Sequence, residues 1–117
     1  MNQEKIYKFY QAAIEKTKSG ALTWKRARNT SELSRNSYFR NVADEERSFV
    51  SEYGTGKIFL LAEALTGDIS CHLLPDVDLS YQQLGDENEP LLLRFYNVVY
   101  SQFPSVDSFI DNFISDF

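Results

Sequence analysis

The sequence predicts an α+β fold: an N-terminal helix, a three- or four-stranded antiparallel β-meander and two C-terminal helices packed on one sheet face, all within one domain spanning residues 1–117. Three observations predict it. Apolar residues recur every three or four positions at both ends of the chain. Short apolar or alternating runs broken by glycine turns fill the middle. A composition of 43% hydrophobic and 25% charged residues supplies one core without metals or crosslinks.

The first helix is read over residues 2–19, where Ile6, Phe9, Tyr10, Ala13, Ile14 and Thr17 form one face and Lys8, Glu15, Lys16 and Lys18 lie elsewhere. Ser19 and Gly20 end it, because glycine takes the left-handed conformation of a helix stop without a side-chain clash. Residues 21–36 show no period and read as a connection, with a short helical turn near 31–35. A first short strand is read at 38–42, and the polar run 43–47 interrupts it. Runs at 48–53, 57–63 and 69–74, separated by Gly54-Thr55-Gly56 and Thr66-Gly67-Asp68, give the meander. The nearly continuous apolar run 58–62 suits a central strand covered on both faces, and Pro75 ends the third strand because it has no N–H for the ladder.

Residues 76–89 read as an acidic loop with an edge strand around 79–84. Pro90 opens the next helix, with Asn88 or Glu89 as cap, and Leu91, Leu92, Phe95, Val98, Val99 and Phe103 face the core. Tyr96 and Tyr100 form a second stripe, so this helix has little polar face and is expected to be buried on several sides. Phe103-Pro104 breaks it and Ser105 caps a last helix. There Val106, Phe109, Ile110, Phe113, Ile114 and Phe117 follow one face, with Asp107, Asp111, Asn112, Ser115 and Asp116 on the other. Whether these apolar faces cover their own sheet or join two copies is open at this point.

Residue chemistry excludes more functions than it supports. Cys71 is the only cysteine and His72 the only histidine, so neither an internal disulfide nor a Cys/His zinc cluster can form, and a reducing cytoplasm is the expected setting. The N-terminus has no basic start followed by an apolar run, and no stretch approaches the ~20 apolar residues of a membrane span. On a strand, Cys71 and His72 point to opposite faces and cannot act as nucleophile and base. No Gly-x-Ser-x-Gly elbow is present for a serine triad. Gly54-Thr55-Gly56-Lys57 lies between two strands instead of opening a helix, so it reads as a hairpin turn and not a phosphate loop. Asp76-Val77-Asp78 and Asp86-Glu87-Asn88-Glu89 lack the spacing of a calcium loop. No cofactor and no catalytic residue are expected.

Charge is unevenly spread. Residues 1–48 hold ten basic against six acidic side chains, whereas residues 49–117 hold two against eleven, within a net charge of -5. The acidic set Asp76, Asp78, Asp86, Glu87, Glu89, Asp107 and Asp111 is the candidate protein-binding surface. Asp107 and Asp111 stand one helical turn apart, an arrangement that repels by a few tenths of a kcal/mol and suits a cationic partner. Ordinary solubility explains the same charges equally well. Trp24, Lys25, Arg26 and Arg28 form the alternative, a nucleic-acid-binding set in which cations neutralise phosphates and an indole stacks on a base. The acidic net charge weighs against it.

Three segments also carry a family likeness. The run from Glu15 through Thr23-Trp24, the strand Lys57-Ile58-Phe59-Leu60-Leu61, and Leu91-Leu92-Leu93-Arg94-Phe95-Tyr96 with Ser101-Gln102-Phe103-Pro104-Ser105-Val106-Asp107 together resemble small acidic proteins of phages and mobile elements of Gram-positive bacteria. The likeness covers most of the chain in order, and its motifs are structural. Proteins of that size, acidity and origin include inhibitors of bacterial defence, among them anti-CRISPR proteins that bind type II effector nucleases. The resemblance therefore implies a non-enzymatic inhibitor that holds a large basic nucleic-acid-handling protein. A nucleic-acid-binding or regulatory module, and an immunity protein against a toxin, are the alternatives.

Overall fold

The computed structural model describes residues 3–27, 43–74, 77–78, 89–103 and 106–116. Helix α1 (Gln3–Ser19) buries Ile6, Tyr10, Ala13, Ile14 and Thr17, the face its spacing predicts. Gly20 follows with φ 85°, and two carbonyls of the last turn are satisfied: Gly20 N–H donates to Thr17 O at 3.3 Å and Leu22 N–H to Lys16 O at 2.9 Å. Lys16 and Lys18 in that turn complement the negative end of the helix dipole.

Among the described residues five strands follow as an antiparallel meander in the order β1-β2-β3-β4-β5: β1 (Lys25–Arg26), β2 (Phe49–Tyr53), β3 (Gly56–Ala62), β4 (Ile69–Leu74) and β5 (Val77–Asp78). Among the described residues only β2, β3 and β4 exceed two residues, so they form the body of the meander, for which three or four strands are expected, with the two-residue β1 and β5 flanking them. Tyr53 pairs with Gly56, which makes Gly54-Thr55 a two-residue hairpin loop, and Gly54 supplies the left-handed φ of 59°. β4 has Leu74 as its last residue, and Pro75, read as the end of this strand, lies outside the described residues.

β1 falls inside the segment read as a connection. Two basic residues carry no periodic signal, and it is the pairing of Lys25 with Val50 and Arg26 with Phe49 that makes them a strand. β5 likewise falls in the stretch read as an acidic loop. The expected helical turn at 31–35 and the strands at 38–42 and 79–84 lie outside the described residues.

Register sorts the side chains of β3 onto two faces. Ile58, Leu60 and Ala62 join Phe49 and Cys71 on the face covered by the helices. Phe59 and Leu61 join Val50, Ala27 and Ala43 in a smaller cluster on the other. β3 is thus the central strand buried on both sides that its apolar run predicts.

Helix α2 (Glu89–Tyr100) closes the main core against α1 and β4, burying Leu91, Leu92, Phe95, Tyr96 and Val99, with Val98 and Phe103 packed against them. Phe95 is fully buried between the Tyr10 ring, 6.0 Å away, and the edge of the Trp24 indole at 5.6 Å. Phe49 stacks on Phe103 at 4.5 Å and meets Tyr96 at 5.8 Å.

Side-chain hydrogen bonds tie these elements. The Trp24 indole N–H donates to Thr17 Oγ1 at 3.1 Å, and that hydroxyl donates to Ala13 O at 2.7 Å. Thr17→Val keeps the shape but leaves a half-buried indole N–H without its acceptor. Urea unfolding should show a loss of about 1–3 kcal/mol, and an unchanged midpoint would show that the bond contributes nothing.

The Tyr96 hydroxyl donates to Arg47 O and pins α2 to the entry of β2. Burial, then Tyr100, pushes the Tyr96 phenol up to about 12 from 10.0. The folded protein therefore holds this proton more tightly than the unfolded chain does, so the associated stability is complete below pH 10 and drains away as pH rises toward about 12. Thermal melts of the wild type and Tyr96→Phe should diverge least in slope below pH 10 and most above it; parallel curves would refute the linkage.

Helix α3 (Val106–Ser115) differs from the other two. Its side chains from Ser108 onward are exposed, and among the described residues no element packs broadly against it.

Candidate functional site

The exposed side of α3 is built by its own periodicity. Phe109 and Phe113 are one turn apart with rings 6.4 Å between centroids, and Ile110 and Ile114 form the adjoining row. Their exposures are 66%, 69%, 45% and 63% respectively, although this spacing would normally mark a core face. Asp107, Asp111 and the following Asp116 are the ionisable residues of this segment, and all are acidic. The arrangement is an apolar stripe on an anionic helix, and each such side chain would gain roughly 1.5–3 kcal/mol if water were removed from it.

The predicted acidic set is only partly placed. Asp107 and Asp111 both belong to α3, and Asp111 is exposed. Glu89 begins α2 and Asp78 lies in β5. Asp76, Asp86 and Glu87 lie outside the described residues. The stripe itself was visible in the sequence, but as a face seeking a cover; its exposure was not.

The alternative basic set is drawn into internal contacts. Trp24 is held by Thr17 and Phe95 in the main core. Arg26 Nε donates to Glu46 O at 3.0 Å, lies 3.5 Å from its carboxylate and has its guanidinium 5.3 Å from the Phe103 ring centre. Lys25 is exposed on the edge strand beside a depression of about 300 Å³ that Glu52 also lines, an acidic neighbour where a phosphate would need a basic one. Arg28 lies outside the described residues.

Cys71 pairs with Leu60 and is buried in the main core, whereas His72 pairs with Phe59 on the opposite face and shares a 3.0 Å hydrogen bond with Ser70. The two therefore diverge, as strand alternation requires. Among the described residues no three His, Cys, Asp or Glu side chains gather as a metal site, and no helix is long and apolar enough to cross a membrane.

Sequence reasoning missed one feature. Packing of α1 against the β2–β3 hairpin leaves an apolar depression of about 140 Å³ lined by Phe9, Ala12, Ala13, Leu22 and Ile58, together with the exposed Lys16 and Tyr53. It joins residues 9 to 58 across three elements, so no local pattern announces it. No protein-family model matches the chain, and no curated protein or solved structure matches it either.

Proposed function

We propose that this chain is a non-enzymatic protein-binding inhibitor that uses the anionic, apolar-striped α3 to hold a basic nucleic-acid-handling protein, with a bacterial defence nuclease of the type II CRISPR effector class as its target. One observation carries the reading: four large apolar side chains stand in solvent on a helix whose ionisable residues are all acidic. A contiguous exposed apolar row suits a partner surface, and carboxylates along it steer toward cationic grooves and fit poorly against nucleic acid. The family likeness of the sequence supplies the choice of target.

The deciding experiment is DNA cleavage by a panel of purified, guide-loaded type II effectors with a molar excess of this protein. Dose-dependent loss of cleavage is expected, and adding the protein before or after guide and DNA locates the blocked step. Full cleavage across the panel would overturn the choice of target.

A further inference from the structure

The depression between α1 and the β2–β3 hairpin has the size and the charge to receive α3. At about 140 Å³ it is close to the roughly 150 Å³ apolar cavity that accepts benzene, so one phenyl ring fills it. Its walls are mostly aliphatic and aromatic, and they include the exposed Lys16, whose ammonium lies 5.4 Å from the ring centre of Tyr53, another lining residue. A ring that enters with a carboxylate beside it would therefore meet a cation there. α1 carries Lys5, Lys8, Lys16 and Lys18 against Glu4 and Glu15, and is basic overall.

The same chain contains the complement. Phe113 is the most exposed residue of the α3 stripe, and Asp116 follows three positions later, just past the helix end, where it flanks Phe113 at the edge of the stripe. We propose that α3 of a second copy seats the Phe113 ring in this depression with Asp116 toward Lys16, and that the exchange is reciprocal, giving a closed two-fold dimer. Each copy has one pocket and one stripe, so reciprocal exchange satisfies both, whereas one-way docking would leave an open chain of copies. The dimer covers the stripe, and its dissociation sets how much α3 is available to any other partner. This inference does not depend on which protein α3 inhibits.

Sedimentation velocity across a wide concentration range tests it. The wild type should pass from monomer to dimer, and Phe113→Asp and Ala12→Trp, which plugs the pocket, should each weaken dimerisation at least about tenfold. Lys16→Glu should weaken it too, and Lys16→Glu with Asp116→Lys in one chain should restore it. That charge exchange keeps the test decisive if the pocket-filling variant folds poorly. A wild type that stays monomeric at every concentration, whether its stripe is covered by its own chain or left for a foreign protein, would overturn the proposal. So would a dimer indifferent to Phe113→Asp and to the charge exchange. Nuclease inhibition is read separately, so either result can fail without the other.

Discussion

Phe95→Ala should destabilise the protein by about 3–5 kcal/mol, a large share of the 5–15 kcal/mol typical of a domain. The side chain is fully buried where α1, α2 and the Trp24 segment meet, with Tyr10 at 6.0 Å and Trp24 at 5.6 Å. Truncation removes the transfer free energy of the ring and leaves a void. Neither flank can collapse into it cheaply, because Trp24 is held by Thr17 and Tyr10 by its place in α1. Urea unfolding followed by circular dichroism is the measurement. The midpoint should fall with little change in slope, and a loss below about 1 kcal/mol would mean that the site relaxes around the missing ring.

The second large effect separates binding from folding. Phe109→Asp combined with Phe113→Asp should leave the melting temperature within a degree or two while weakening partner binding about a hundredfold or more. Both rings are more than half exposed, so the folded monomer loses little when they are removed. In a complex they would be the central apolar contacts, and two new carboxylates would bring buried, unpaired charge into them. Calorimetric melting and a titration against the proposed nuclease target give the two numbers. A large fall in melting temperature would show that α3 packs on its own domain, and unchanged affinity would remove it from the interface.

Much of the fold was readable because it is written locally. α1 announces itself through Ile6, Tyr10, Ala13, Ile14 and Thr17 and its stop through Gly20; the β2–β3 turn does so through Gly54. β1 was not readable, since Lys25 and Arg26 become a strand only through pairing with residues more than twenty positions away. The site was less legible than the fold for a related reason. Periodicity shows that Phe109 and Phe113 share a face but not whether anything lies over it, and the packing of Trp24 depends on Thr17 and Phe95, which a window around the basic run does not contain. Charge counts identified Asp111 as an acidic surface residue while saying nothing about which other carboxylates stand near it.

The placement of the only tryptophan gives the molecule a built-in optical division of labour. Trp24 is the sole indole in the chain and is locked against Phe95 and Thr17. Its emission therefore reports on the main core, shifting to the red when water reaches the indole. Binding events on α3, whose aromatic residues are phenylalanines alone, would leave that emission untouched. Fluorescence with excitation selective for tryptophan can thus follow folding in the presence of any partner that lacks tryptophan, with no label added.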